Sequence, residues 1–569
     1  MTPELDDDSP LATPDPLPLR QAKRRTRVAA ATTVAAFLAL GVKIISFSFV
    51  AHPGATALKR PATPPVYQPQ RADIRDRNGM LLASNLVTLS LYANPSKIPN
   101  PAEAVTKLHR LFPDLNPTVL AERLGNPRRQ FVWLRRNLAP AQAQAVNALG
   151  IPGLDFITEE RRVYPNGRMA AHVLGFTDVD GNGLSGIEQG LNRRLRQHGE
   201  PLTLSLDIRL QHILKNEIQK NIDAFTAIGG AGMILDARNG EILAMVSLPD
   251  FDPNHPKQAT DDERFNRLTL GVYEMGSTMK IFTTAMALEA GIAQLESMVD
   301  ARAPIRVGRF KIDDYHAKYR WMTVAEAFKY SSNIASAHLA LAVGRQGHRA
   351  FMEKLGFLAP AQLEIPEMGH PLVPANWRDV NTMTIAFGHG LSINAVQLVN
   401  AAAAVMSDGI MRQPTLVQGG NHDIPGVRVV SAATARDIRK LMRLTIVSGT
   451  GSKAEVPGYF VGGKTGTSEK ISAHGYNKKS LLSSFLGAFP IYDPRYVIFV
   501  MIDEPKGNKA SYGYATGGWV AAPVVQRIVE SMAPLLAMQP ANAHDPDIFA
   551  ALMIPGEDNG TGGDVAEDH

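Results

Sequence analysis

Met275-Gly276-Ser277-Thr278-Met279-Lys280 is the stretch on which the reading of this chain turns. A serine is followed one helical turn later by a lysine. The run Ser277-Thr278-Met279-Lys280-Ile281-Phe282-Thr283-Thr284-Ala285-Met286-Ala287-Leu288-Glu289-Ala290 is made of good helix formers, and Gly291 stands where a helix stop is expected. Ser277 is therefore predicted at the N-terminus of a helix, with Lys280 on its first turn. Positions i and i+3 share a helix face, so the amine can reach the hydroxyl. A serine hydroxyl is a poor nucleophile at neutral pH and needs a base. A lysine is that base only when its pKa is lowered, which burial, the positive end of a helix and a second nearby cation all favour.

Alone, Ser-x-x-Lys says little: a chain of this size contains about one by chance, and a helix cap followed by a surface lysine explains it. Two further stretches change the reading. One is Ser331-Ser332-Asn333, inside Phe328-Lys329-Tyr330-Ser331-Ser332-Asn333-Ile334-Ala335. The other is Lys464-Thr465-Gly466-Thr467, preceded by Gly462-Gly463. In chain order the three read Ser-x-x-Lys, Ser-x-Asn and Lys-Thr-Gly, the signature set of penicillin-binding proteins and serine β-lactamases. The chain resembles a class B penicillin-binding protein, of the kind that cross-links peptidoglycan at cell division. The likeness covers most of residues 60–535, with all three motifs intact. Met275 departs from it: relatives usually carry proline before Gly-Ser, which would stiffen the approach to the serine.

Composition sets the outer bounds. The 569 residues are 45% hydrophobic and 20% charged, as in globular proteins, and the net charge is +5. A mildly basic chain suits work beside acidic lipids or an anionic wall polymer. No zinc-finger spacing, phosphate loop or dinucleotide fingerprint occurs, so no nucleic acid partner and no cofactor is expected. There is no cysteine, hence no disulfide and no thiolate chemistry.

Read from the N-terminus, residues 1–27 are expected to be a disordered cytoplasmic tail: Asp6-Asp7-Asp8 and several prolines precede Arg20, Lys23, Arg24, Arg25 and Arg27. Residues 28–50, apolar except for Lys43, match a single transmembrane anchor, which needs about 20 residues. The basic cluster on its N-terminal side keeps that end in the cytoplasm and places the rest outside the inner membrane, in the periplasm. A shorter core ending at Val42, with Ala55-Thr56-Ala57 as a cleavage site, would instead be a signal peptide; the site lies too far downstream, which favours an uncleaved anchor. Residues 51–70 read as a proline-rich linker.

Residues 71–200 form the expected α+β pedestal. Asn78-Gly79 marks a hairpin, and Ala102 to Leu111 and Pro140 to Leu149 read as amphipathic helices. Arg71 to Ala83, Arg161-Arg162-Val163-Tyr164-Pro165 and Gly183-Leu184-Ser185-Gly186-Ile187-Glu188 resemble the family's non-catalytic domain; turn chemistry and packing account for most of these residues. Residues 201–536 form the catalytic domain. A helix is expected from Ile208 to Phe225, strands around Asn239-Gly240 and around Asp493-Pro494-Arg495, and a last helix from Trp519 to Leu536. Strands at both ends enclosing a long helical middle give an α/β fold, an antiparallel sheet between helical layers, as in the family's transpeptidase domain. Residues 537–569, with seven acidic residues after Ala537 and no Lys or Arg, are expected to be a disordered tail.

Acyl transfer needs a nucleophile, a base, an oxyanion hole and a grip on substrate. The expected catalytic set is Ser277 as nucleophile, Lys280 as base, and Ser331 between the two lysines as proton relay. The expected substrate-binding set is Asn333, Lys464, Thr465, Gly466 and Thr467. Lys464 attracts the substrate carboxylate and helps to keep Lys280 neutral. Gly466, on an edge strand, lets substrate approach the backbone. The resemblance implies that the hydroxyls of Thr465 and Thr467 hold the carboxylate of a D-Ala-D-Ala stem peptide or a β-lactam. It also implies an oxyanion hole from the N–H groups of Ser277 and Thr467. Asn266-Arg267, Ser448-Gly449-Thr450-Gly451 and Gly388-His389-Gly390 look like family positions near the cleft, with His389 a wall residue.

Asp313-Asp314-Tyr315-His316 could pass for a metal-ligand cluster. Some elongation-type relatives hold zinc in this part of the domain through a cysteine; with no cysteine and no second histidine at ligand spacing, a polar turn is the better reading and no metal is expected. That tilts the choice from an elongation role towards division. A β-lactamase would need a carboxylate base for deacylation, and no Glu-x-x-Leu-Asn segment lies between the second and third motifs. A scaffold or β-lactam sensor that acylates without transpeptidation is the remaining alternative. With no glycosyltransferase domain expected ahead of the catalytic one, the resemblance implies a SEDS-family glycosyltransferase partner, together with other division proteins in the membrane.

Overall fold

The computed structural model describes residues 17–49, 71–197, 200–308, 310–472, 475–542 and 545–557. The linker, the first sixteen residues and the last twelve of the acidic tail lie outside them.

Helix α1 (Leu17–Phe49) covers the expected anchor but starts upstream of Val28, so residues 17–27 are helical rather than a disordered tail. After Pro18 the sequence offers Arg, Gln, Ala and Lys, all good helix formers, and no proline before Pro53. Val28, Val34, Phe37, Leu38, Leu40 and Val42 are all exposed. Among the described residues no helix is long and apolar enough to cross a membrane.

The pedestal is a five-stranded sheet. Strand Leu81–Ala93 pairs antiparallel with Val132–Leu138, Leu154–Val163 and the short Ile74–Arg75. The Asp76–Gly79 turn makes the last pairing possible, with Gly79 at φ +87°. Helices Pro101–Leu111, Pro117–Leu124 and Pro140–Ala148 each begin on a proline, and Asn100 and Asn116 cap the first two. Leu91, Leu108, Phe112, Leu120 and Val132 form their common core. Leu202–Thr203 pairs parallel with Ile74–Arg75, while Leu204 bridges to Val417 of the catalytic domain. The stretch expected to open the catalytic domain is therefore the joint between the two domains.

The catalytic sheet runs β3–β4–β5–β1–β2, all antiparallel, from β1 (Gly229–Asp236), β2 (Ile242–Leu248), β3 (Gly462–Ser472), β4 (Gly475–Phe489) and β5 (Tyr496–Asp503). Both faces are covered, and the two-residue period of a strand sorts its side chains between them. Along β5, Val497, Phe499 and Met501 join one core, and Ile498, Val500 and Ile502 join the other. The second core lies under α2 (Ile208–Ala224) and α7 (Ala522–Leu535), built on Leu210, Leu214, Ile218, Val525 and Ile528. The first lies under α3 (Lys280–Glu289), α5 (Ala395–Met406) and α6 (Ala432–Ser448), with Phe282, Leu398, Ile438 and Leu441.

Two expectations fail near the C-terminus. The last catalytic helix breaks into Gly517–Val520 and Ala522–Leu535, where Pro523 occupies the start of the second piece. The tail is ordered through residues 545–557. Asp545 caps helix α8 (Pro546–Leu552), and Leu552 and Ile554 are buried in the first core. Charge count hid a short apolar face, Ile548, Leu552 and Ile554, that a docked helix can bury.

Candidate active site

The nucleophile turn is tighter than the predicted helix. Gly276–Met279 is a 3-10 turn, and the α-helix begins at Lys280. Gly276 has φ +56°, and a Cβ there would sit 2.7 Å from Thr467 O, so only glycine lets β3 lie against this turn. Thr278 donates its hydroxyl to Met275 O at 2.8 Å, and Met275 itself is buried. Those contacts hold the turn with methionine at position 275.

Lys280 projects from the first turn of α3 into the interior and is 1% exposed. Its Nζ lies 3.1 Å from Ser277 Oγ and 3.0 Å from Ser331 Oγ, and it also donates to Ser331 O. Ser331 presents hydroxyl and carbonyl to the same amine because its backbone is left-handed, φ +60°. Lys464, on the edge strand β3 and fully buried, donates to Ser331 Oγ at 2.9 Å and to Thr465 O at 3.2 Å. Burial, then the neighbouring Lys464 charge, hold the Lys280 pKa well below the usual lysine range, with Asp314 opposing them. Burial brings Lys464 down to about 7. A neutral Lys280 has two N–H donors for Ser331 and a lone pair for the Ser277 proton. Both lysines donate to Ser331 Oγ, so its own proton is free to point into the cleft.

The remaining predicted residues gather around this centre. Asn333 starts α4 (Asn333–Lys354), and its Nδ2 donates to Asp313 O at 2.8 Å, which leaves the side-chain oxygen for the cleft. Thr465 and Thr467 share a face of β3. Thr465 Oγ1 lies 2.8 Å from Thr450 Oγ1, and Thr467 Oγ1 accepts the Gly517 N–H at 3.1 Å. Gly466 differs from expectation: a Cβ there would meet Ser484 Oγ, Thr278 and Met275 O. Its bareness serves the packing of β3 on the nucleophile turn rather than the approach of substrate. His389 follows Gly388, whose carbonyl accepts the Gly276 N–H at 3.3 Å, and so sits beside the nucleophile turn. Burial, above all, pushes the His389 pKa down to about 4, so it is neutral beside the lysines.

Sequence reasoning missed several neighbours. Tyr514 stacks on Trp519 with 5.9 Å between ring centroids, Tyr512 meets it edge-on at 5.5 Å, and Lys453 Nζ lies 4.0 Å from the Trp519 ring centroid. This shelf flanks the Thr465–Thr467 face through Gly517. Thr450, by contrast, belongs to the Ser448–Gly451 stretch expected near the cleft, and its hydroxyl does lie against Thr465. Asp314 looked like a turn residue, because nothing in the spacing ties it to a motif seventeen positions later. Among the described residues no group of three or more His, Asp and Glu side chains gathers as a metal site.

Fold and site together define a class, the serine acyl-transfer domain with paired lysines of the penicillin-recognising proteins. The penicillin binding protein transpeptidase domain family matches residues 230–530, and the penicillin-binding protein dimerisation domain family matches residues 66–200. The chain is 40% identical over 483 residues, 82% of each chain, to the probable peptidoglycan D,D-transpeptidase FtsI of Caulobacter vibrioides. It is 29% identical over 527 residues, 87% of this chain and 88% of the relative, to the peptidoglycan D,D-transpeptidase FtsI of Escherichia coli K12. The fold is shared with apo penicillin binding protein 3 of Mycobacterium tuberculosis, at a TM-score of 0.66 and 24% identity, covering 84% of this chain and 98% of that one. The chain belongs to the class B penicillin-binding proteins, in their FtsI-like branch.

Proposed function

We propose that this protein is a peptidoglycan D,D-transpeptidase that cross-links stem peptides through an acyl-enzyme on Ser277, for the septal wall built at cell division. The observation that carries the reading is the cluster at Ser331: Lys280 Nζ within 3.1 Å of both serine hydroxyls and Lys464 Nζ 2.9 Å from the second. Lys280, neutral, takes the proton of Ser277 as its Oγ attacks the carbonyl of the penultimate D-Ala. Negative charge collects on the carbonyl oxygen, which faces the backbone N–H groups of Ser277 and Thr467; removing one such donor costs about 3 kcal/mol of transition-state stabilisation. As the C–N bond breaks, Ser331 passes a proton to the departing D-Ala amine and is re-protonated from Lys280. The amine of a neighbouring stem then attacks the ester, losing its proton to Lys280, and Ser277 is restored by the reverse relay. Asn333 holds the substrate's peptide group, and Lys464, Thr465 and Thr467 hold the terminal carboxylate.

A β-lactam enters by the same steps. Its leaving nitrogen stays tethered to the acyl group after the ring opens, which blocks the acceptor amine and leaves Ser277 acylated. The relative from M. tuberculosis has been seen with ampicillin and with aztreonam.

The anchor belongs to the same proposal. What supports it is the sequence: residues 28–50 are apolar except for Lys43 and follow Arg20, Lys23, Arg24, Arg25 and Arg27, which suits a single span with the N-terminus in the cytoplasm and the catalytic domain in the periplasm. A SEDS-family glycosyltransferase in the membrane supplies the glycan strands; the resemblance is what supports this partner. The test is a reaction of purified protein with a D-Ala-D-Ala pentapeptide donor and an amine-bearing acceptor stem. The proposal requires cross-linked product and released D-Ala from the wild type and neither from Ser277→Ala. D-Ala released without cross-links would replace transpeptidation by hydrolysis.

A further inference from the structure

Strands Ile305–Val307 and Phe310–Ile312 form a small hairpin, from which the chain turns through Asp313-Asp314 towards the second motif. Asp314 Oδ1 accepts the backbone N–H groups of Asn333 at 2.5 Å and Ile334 at 3.0 Å, and Oδ2 accepts the Ser332 hydroxyl at 2.7 Å. The Asp313 carbonyl accepts Asn333 Nδ2 at 2.8 Å. We propose that Asp314 is a positioning residue for acyl transfer: its carboxylate clamps the Ser331-Ser332-Asn333 turn and so fixes where Ser331 meets the two lysines. The inference rests on the roles given above to Lys280 and Ser331.

The turn needs such a clamp. Ser331 is left-handed without being glycine, a conformation that persists only when its surroundings over-determine it. The preceding helix Val324–Lys329 secures one side, with Ser331 N–H donating to Phe328 O and Ser332 N–H to Ala327 O. The other side begins α4, whose first N–H groups have no partner within the helix. Ser332 Oγ satisfies one of them, that of Ala335, at 3.0 Å, and Asp314 satisfies two more. One carboxylate therefore holds both the cap and the cap's own hydroxyl, and the Asp313 carbonyl beside it holds the Asn333 amide. Freed from it, Ser331 would relax and its hydroxyl would leave the line between Lys280 and Lys464.

The carboxylate also acts electrostatically on Lys280. Facing that amine are Ser277 on its own turn, Ser331, Lys464 from β3, neutral His389 from the wall, and Asp314 from the hairpin. Lys464 and burial favour the neutral amine; Asp314 favours the ammonium. This gives a readout that loss of a mere structural prop would not move.

The experiment is the second-order rate constant for acylation by a fluorescent penicillin, from about pH 5 to about pH 9, the range that brackets general-base titration, for wild type, Asp314→Asn and Asp314→Ala. Thermal melting of each variant runs alongside, and Asp314→Asn, which keeps shape and one acceptor, carries the test if the alanine variant does not fold. The expected result is a folded Asp314→Asn whose rate falls on the order of 10- to 100-fold, the size of loss that follows removal of a partner that orients a metal ligand. The acid limb of its profile moves to lower pH, because the amine loses an anion that favoured its proton. A wild-type rate, or a lowered rate with the acid limb unmoved, overturns the inference. Failure of the wild type itself to label at Ser277 would instead remove the reading on which it rests.

Discussion

At the scale of single residues, the Ser331 hydroxyl is where the chemistry meets. It accepts from Lys280 at 3.0 Å and from Lys464 at 2.9 Å, so the two lysines are coupled through one oxygen. Ser331→Ala should leave Ser277 and Lys280 in reach of each other, yet slow acylation by about 10²–10⁴-fold, the usual worth of a positioned proton-transfer group. Stopped-flow acylation with the folded variant checks this, and a rate within a factor of two or three of wild type would remove Ser331 from the relay. Lys464→Gln tests the electrostatic coupling. Removing that cation lets the Lys280 pKa rise, so the acid limb of the acylation profile should move to higher pH, opposite to the shift expected for Asp314→Asn. A limb that stays put would mean that the Lys464 charge does not help to set the Lys280 pKa.

At the scale of elements, β3 and the 3-10 turn Gly276–Met279 form one unit, closed by two glycines. Gly466→Ala would push a Cβ into Ser484, Thr278 and Met275 O, and overpacking of this kind costs about 1–3 kcal/mol. Because the strand must shift relative to Ser277, acylation should fall further than the melting temperature suggests. A variant as reactive as wild type would show that β3 can move without disturbing the site. Helix α4 carries a pH-sensitive group remote from the chemistry. His348 is fully buried, meets Trp377 edge-on at 5.5 Å, and burial pushes its pKa down to about 4. Unfolded, it titrates near 6.5, so between about pH 6.5 and about pH 4 the unfolded chain binds a proton that the folded one refuses, and stability falls as pH drops through that window. At pH 5 this amounts to about 2 kcal/mol. His348→Phe should keep the ring contact and recover that loss, read as a smaller drop in melting temperature between pH 7 and pH 5. An unchanged drop would place the acid sensitivity elsewhere.

At the scale of the whole molecule, the pedestal grips the catalytic domain through Arg168 to Asp250 O at 2.5 Å, Tyr164 N–H to Asn254 at 3.0 Å and Arg77 to Glu241 at 3.4 Å. The Arg71–Glu188–Arg162 triad lies within the pedestal, with Glu188 fully buried; its helix Gly186–Gly190 then meets the catalytic domain, where the Gly186 N–H donates to Glu367 at 2.9 Å. Glu188→Ala would strand two buried guanidiniums and should destabilise the pedestal by about 3–5 kcal/mol, measured as an early unfolding transition. Much of this organisation was legible in the sequence. Strand alternation, Asn-Gly turns and three spaced motifs are local signals, and they located the sheet, the helical middle and the residues that meet at Ser331. What was hidden depends on contacts between distant segments: Asp314 on the second motif, Gly466 against the first, the docked helix α8, and the partner of each pedestal arginine. Composition is blind to such contacts, as residues 545–557 of the acidic tail demonstrate by docking Leu552 and Ile554 into the first core. The most direct test of the central claim, that Ser277 is acylated with Lys280 as its base, is covalent labelling with a fluorescent penicillin, followed by intact mass over hours for wild type, Ser277→Ala and Lys280→Ala. A single persistent adduct on wild type, absent from Ser277→Ala and nearly absent from Lys280→Ala, is the result expected. An adduct that forms on Ser277→Ala, or none on folded wild type, would contradict it.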